Sequence, residues 1–158
     1  MTETTQWLVF RLDAGRYALP LRVVDRIVRA VQITPLPLAP AIVLGAIDVA
    51  GEILPVFDVR RRFGLPERAL DPTDQFLIAR TTRRTVVLVI DAAQGVMEAP
   101  DTAVTESAKI ELQLEHIRGV IALPDGLVLI HDLEQFLSPE EAGALERAVR
   151  HDEGSHAR

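Results

Sequence analysis

The side chains able to do chemistry in this sequence are few and scattered. Histidine occurs as His116, His131, His151 and His156. His131-Asp132, with Asp58 or Asp91 alongside, has the donor types of a metal site. No pair has the His-x-x-x-His spacing that sets two imidazoles on one helix face, so a strand-end histidine is the simpler reading and no metal is assigned. A serine nucleophile would have to be Ser107 or Ser138, and neither stands in a Gly-x-Ser-x-Gly elbow. Ser138-Pro139-Glu140-Glu141 reads instead as a helix start, with a hydroxyl cap, proline in the first turn and two carboxylates at the positive end of the helix dipole. The absence of cysteine excludes disulfides, thiolate metal sites and thiol nucleophiles. No glycine-rich phosphate loop occurs, and neither a catalytic residue nor a cofactor is assigned. The concentrated charge is Arg60-Arg61-Arg62. Guanidinium forks pair well with carboxylates, so this triplet is a possible contact for an acidic partner. The competing reading is a solvated turn with one arginine anchored on a carboxylate such as Asp58.

The elements around these residues are short and β-rich. The chain has 158 residues, 48% hydrophobic and 25% charged, which fits one globular domain. Aromatics are only 4%, so the core must be aliphatic, and β-branched side chains suit a pleated surface. A net charge of −6 argues against nucleic-acid binding. Residues 1–6 carry neither a basic nor an apolar targeting region, and Pro35, Pro37 and Pro40 break the uncharged run 30–47 as a membrane helix. A cytoplasmic protein without membrane insertion is expected.

Residues 1–6 are expected to fray. Residues 7–12 and 17–20 read as a hairpin, with Leu8, Phe10 and Leu12 on its inner face. Residues 21–31 suggest a short helical turn leading into a strand, and residues 34–40 must be extended before their prolines. A short helix is expected over 41–49, ended by Gly51. Residues 53–59 form a strand apolar at nearly every position, as though covered on both faces. A helical turn follows to Gly64, then a polar loop over 66–74. Strands over 75–80 and 85–91 make a second hairpin, and strands over 117–123 and 127–130 a third, around Pro124-Asp125-Gly126. A helix is expected from His131 or Asp132 through Leu137. The last helix should run from Ser138 to about Arg150, leaving a disordered tail over 151–158. The pattern is all-β, a barrel or sandwich with decorating helices.

Gly45, Gly51, Pro55, Val56, Asp58, Val59, Arg60, Phe63 and Gly64 together form a recognisable string. With residues 8–12, 17–20, 24–27, 86–91, 117–119 and 127–137 in the same order, the sequence resembles the CheW family. Members of that family couple chemoreceptors to the CheA histidine kinase in bacterial chemotaxis arrays. The resemblance implies two intertwined five-stranded SH3-like barrels with short helices and a C-terminal helix, over residues 6–150, and no catalytic activity. It implies a kinase-binding edge at Val24, Arg26 and Ile27, facing the kinase regulatory domain. It also implies a receptor-binding side at Gly45, Asp48 and Ala50, beside a groove at the barrel junction that takes the receptor's cytoplasmic tip.

Two positions depart from the family pattern. Asn-x-Arg-Gly is here Asp48-Val49-Ala50-Gly51, which removes a guanidinium and adds an acid. Val-x-Glu-Ile is here Val24-Asp25-Arg26-Ile27, which replaces an acid by a base. The alternatives are a CheW-like module of a divergent, non-flagellar system, for example pili, and a small β-barrel metal-dependent hydrolase using His116 and His131.

Overall fold

Several of the longer strands of this chain are buried on both faces, and the fold supplies a different cover for each face. A computed structural model describes residues 4–106 and 116–156, with side chains through Arg150. Ser107 and residues 157–158 lie outside the described residues. In chain order come β1 (Thr4–Leu12), β2 (Gly15–Pro20), a 3-10 turn (Leu21–Val23), β3 (Val24–Arg29), β4 (Val43–Val49) and β5 (Glu52–Phe57). Then follow α1 (Val59–Arg62), β6 (Gln75–Arg80), β7 (Thr85–Ile90), β8 (Ala92–Pro100), β9 (Thr105–Glu106), β10 (Ile117–Leu123), β11 (Gly126–His131) and α2 (Pro139–His156).

The strands form two sheets, ordered β8-β1-β2-β11-β10-β9 and β3-β6-β7-β5-β4. These are the two SH3-like barrels. The second has the expected five strands, and the first has five plus the two-residue β9. The chain leaves the first barrel after β2, builds the whole second barrel, and returns at β8, so neither barrel is a continuous piece of sequence. Parallel pairs β2–β11 and β5–β7 join the antiparallel halves of the two sheets.

Successive side chains on a strand point to opposite faces, and here the faces enter different cores. On β1, Trp7 and Val9 fill the first barrel with Ala18, Val128 and Ile130. Leu8, Phe10 and Leu12 enter a layer between the barrels instead. On β5, Leu54 and Val56 fill the second barrel, while Phe57 faces the shared layer. On β6, Phe76 and Ile78 alternate in the same way with Leu77 and Ala79. This explains the unbroken apolar run in a largely antiparallel sheet, where one wet face is the common arrangement.

Some expectations fail. Residues 43–49 are strand rather than helix, because Val43, Ile47 and Val49 pair along β5, from Val43↔Phe57 to Val49↔Glu52. The turn joining them is Ala50-Gly51, with φ of 52° and 88°, the double positive φ of a two-residue hairpin of type I′. Residues 132–137 do not form a helix; His131 is still strand, and an irregular turn brings Leu133 and Phe136 into the shared layer. β1 begins at Thr4, which pairs with Pro100, where fraying was expected. Helix α2 continues to His156, past the end expected near Arg150 and into the stretch expected to be disordered. Its start is as expected: Glu141 N–H donates to Ser138 Oγ at 3.1 Å, and Ser138 N–H to Glu141 Oε1 at 3.0 Å.

One buried cation pins the barrels together. Arg60, on α1 of the second barrel, is 8% exposed. Its Nη2 donates to both oxygens of Asp91, at 2.8 and 2.9 Å, and lies 2.7 Å from Asp13 in the β1–β2 turn. Asp91 sits where the chain crosses from β7 back to β8, and also accepts from Arg68 at 2.7 Å and from the Asp13 N–H at 2.8 Å. Burial pushes the Asp91 carboxyl up, but bonds from Arg60, the Asp13 amide and Arg68 outweigh it and hold it below its ordinary range. Beside this network runs a file of rings. Tyr17 stacks on Phe63 at 4.9 Å, Phe63 meets His131 edge-on at 5.0 Å, and His131 meets Phe136 at 5.2 Å. Phe136 then stacks on Phe57 at 5.1 Å. His131 is 2% exposed; burial, and secondarily the charge of His116, push it down to about 3, so it is a neutral ring at physiological pH.

Removing Arg60 strands Asp91 without its main partner. Arg60→Ala should therefore cost about 3 kcal/mol in urea unfolding; a loss under about 1 kcal/mol would show that the pin is dispensable. Both His131 and Asp91 have folded pKa values below their unfolded ones, so both contributions are complete at neutral pH and are lost on acidification. The His131 part should fade from about pH 6.5 downward and the Asp91 part below the ordinary carboxylate range. Unfolding midpoints of His131→Leu should be flatter than wild type between pH 6.5 and about 4, and those of Asp91→Asn flatter only at lower pH.

Candidate partner-binding site

Strand β3 is an edge strand, hydrogen-bonded to β6 alone. Its register shifts between Val24 and Arg26, where Val24 pairs with Ala79 and Arg26 with Ile78. The extra residue, Asp25, is a bulge that reverses face parity. Val24 and Ile27 would otherwise face opposite ways, yet both are half-buried against the shared layer, while Val28 turns into the second barrel. Arg26 is exposed and its Nε lies 3.3 Å from Asp25. The sequence-derived trio thus stays together: two half-buried aliphatics and a basic side chain on a strand whose outer backbone edge is open.

The receptor-side trio does not share one surface. Asp48 and Ala50 are exposed at the tip of the β4–β5 hairpin. Asp48 Oδ1 accepts from Gly51 N–H at 2.8 Å, a capping role that aspartate fills as well as asparagine would. Gly45 is buried, with φ of 150°, and a Cβ there would collide with the Thr34 carbonyl oxygen and the Ile33 side chain. Its work is to let β4 approach residues 33–34, where Thr34 and Ala46 exchange backbone hydrogen bonds of 2.8 and 3.0 Å.

The arginine triplet also divides. Arg60 is spent inside the molecule on Asp91 and Asp13, so it is not open to an acidic partner. Arg62 Nη2 donates to Glu141 at 2.6 Å and its guanidinium lies over the Phe136 ring, tying α1 to α2. Arg61 alone is largely solvent-facing, 3.7 Å from the exposed Glu67. Asp58 does cap this turn, but accepts from the backbone N–H of Arg61, at 3.2 Å, rather than from a guanidinium. Asp13, Asp91, Arg68 and Asp74 were invisible as a group, since charges from three separate connections carry no mutual spacing signal. Neither ring nitrogen of His131 has a hydrogen-bond partner, and His116 Nδ1 lies 3.1 Å from the Gln135 carbonyl oxygen. Among the described residues no group of three or more histidine and carboxylate side chains could hold a metal ion, and no helix is long and apolar enough to cross a membrane.

Ala50 holds a left-handed conformation that costs a residue with a Cβ roughly 1–2 kcal/mol. Ala50→Gly should relieve this, less the larger chain entropy of glycine, for a net gain of about 0.5–1 kcal/mol in urea unfolding. Gly45→Ala should lose at least about 2 kcal/mol by the same measurement. A neutral result at Ala50 would mean that the hairpin tip is not strained, and one at Gly45 that β4 does not need its close approach to residues 33–34.

These two interlocked barrels have close relatives in shape and sequence. The scaffolding protein TtCheW from Thermoanaerobacter tengcongensis superposes with a TM-score of 0.79 at 23% identity, over 89% of this chain and 96% of that one. At that identity the likeness speaks for the fold. The chemotaxis protein CheW of Rhizobium meliloti is 28% identical over 141 residues, spanning 87% of this chain and 90% of its own length. Protein FrzA of Myxococcus xanthus is 26% identical over 117 residues, 73% of each chain. The CheW-like domain family matches residues 6–141. The chain belongs to the CheW-like domain family, whose members are scaffolds of chemotaxis signalling.

Proposed function

We propose that this chain is a non-catalytic, cytoplasmic coupling protein that holds a CheA-type histidine kinase and a chemoreceptor tip in fixed geometry. The observation that carries this reading is the β3 edge. Val24 and Ile27 are brought by the Asp25 bulge onto one half-buried face of an open strand. An open edge with a neighbouring aliphatic face is what a partner's sheet or strand can extend. In this reading Val24, Arg26 and Ile27 meet the kinase regulatory domain. Asp48 and Ala50 face the receptor, and Gly45 shapes the strand behind them.

An adaptor has no transition state to stabilise. Its work is differential: if the two partners sit on opposite edges of the second barrel, a shift at one contact changes the population of states at the other. The opposite edges are β3 and β4, and the three strands between them are locked by two buried cores. A second reading, a divergent non-flagellar system, is favoured by Ala50 and Arg26, where the usual charges are missing or reversed. Its kinase would present an acid, rather than a base, opposite Arg26.

The purified protein should retain a cognate kinase regulatory domain in a pull-down. Ile27→Asp should weaken that association by about 2 kcal/mol or more in calorimetry, because it leaves a charge in the contact. Since Ile27 is only half-buried, circular dichroism of the variant should stay native. Undiminished affinity in a folded variant would remove β3 from the interface.

A further inference from the structure

A groove runs between the tip of the β6–β7 hairpin and helix α2. Its deeper part, about 290 Å³, is floored by Phe57, Val86, Leu133, Phe136, Leu137 and Leu145. That is at the low end of the roughly 300–1,000 Å³ usual for small-molecule pockets, and suits an anchoring side chain better than a whole ligand. Past residues 81–84 it opens into a shallower trough that reaches Gly51 and Glu52 on one side and Arg150 on the other. The charged residues of that trough are Arg80, Arg83, Arg84 and Arg150 against Glu52 and Glu146, a positive excess on a chain of net charge −6.

The arginines are largely uncommitted. Arg80 reaches Asp25 only at 3.5 Å with its side chain 70% exposed, and Arg84 reaches Glu146 at 3.7 Å. Arg83 is exposed and, among the described residues, its guanidinium makes no hydrogen bond or ion pair, and the same holds for Arg150. The turn that presents them is held still. Glu134 accepts from the Thr82 N–H at 2.9 Å and from Thr82 Oγ1 at 2.8 Å, and Thr81 Oγ1 accepts from the N–H groups of Arg83 and Arg84. A clamped turn carrying one unpaired guanidinium, Arg83, and one loosely held one, Arg84, above an apolar cleft is pre-organised for a ligand that is both acidic and apolar.

We infer that this groove seats a protein segment carrying a large apolar side chain flanked by carboxylates. The apolar group fills the cleft over Phe136 and Leu145, and the carboxylates meet Arg80, Arg83 and Arg84. The inference goes beyond the β3 and β4–β5 contacts of the proposed function and adds a third surface, with the chemistry that its partner brings. A nucleic-acid strand is disfavoured, because the chain as a whole carries a net charge of −6 and repels phosphates.

The test uses the full chain, isotope-labelled for NMR, and three ten-residue peptides. One combines leucine and glutamate, one replaces glutamate by glutamine, and one replaces leucine by serine. The leucine–glutamate peptide should shift the amides of Thr82, Arg83, Arg84 and Leu145, bind more weakly as salt rises, and lose about tenfold in affinity to R83E. Arg83 has no internal partner, so R83E should stay folded. If no peptide shifts those amides, the groove is not a protein-segment seat. If the glutamine peptide binds as well as the acidic one, the charge assignment is wrong, and if the serine peptide does, the apolar anchor is. An oligothymidylate that bound the groove more tightly than the acidic peptide would also overturn the inference. Kinase-domain retention by R83E reads the β3 surface separately, so the coupling role and the groove can fail independently.

Discussion

The structure depends on an apolar layer shared by two barrels. A strand offers two faces, and in an isolated small barrel the outer one is wet. Here β1, β5, β6 and β7 turn their outer faces toward each other, so that Leu8, Phe10, Phe57, Leu77 and Leu88 share one core. Each of these strands must then be apolar on both faces over its central residues, and neither barrel can be removed without exposing the other. With one tryptophan, one tyrosine and five phenylalanines, the chain places several of its few rings in this layer or on its rim. Rigid rings hold the orientation of two bodies better than flexible aliphatics, which have more rotamers to choose among.

Apolar contact is non-directional and would tolerate sliding of one barrel over the other. The polar network at Arg60 supplies direction. A planar guanidinium that takes both oxygens of Asp91 and reaches Asp13 fixes the β1–β2 turn against α1 and the β7–β8 crossover. Arg62 does the same for α2 through Glu141. Two members of what reads as a basic surface triplet are thus internal struts, and Arg61 remains outside. Rigidity of this kind suits the coupling role proposed above. A pliable junction would absorb a shift instead of passing it on.

The surfaces left over are correspondingly specific. The second barrel offers β3 at one edge and the β4–β5 hairpin at the other, and its β6–β7 tip leans over α2 beside an arginine-lined groove. All three are framed by elements whose inner faces are locked, so each is presented without prior ordering. Arg26, Asp48 and Ala50, where the sequence departs from the pattern that carries the resemblance, lie on these exposed features and not in either core. Partner preference can therefore change while the fold stays.

The sequence by itself determined the elements whose signals are local. Turn chemistry placed three hairpins, the Ser138 cap placed α2, and the double-sided apolar run marked residues 53–59 as a covered strand. The string around Gly51 and Phe63-Gly64 was enough to identify the family and with it the barrels. What failed were segments whose local pattern suits two structures. Residues 43–49 have apolar residues at spacings that a helix could use, and only pairing with β5 and the close approach at Gly45 make them a strand. Residues 132–137 look like a helix until Leu133 and Phe136 have to reach the shared layer. The site was legible in the same uneven way. Val24 and Ile27 were singled out as candidates by resemblance, but their common face comes from a bulge that exists only in register with β6. The burial of Arg60 rests on Asp13 and Asp91, far from it in sequence. Such pairings have no local signature, because loop closure brings the charges together only after the strands on either side have packed.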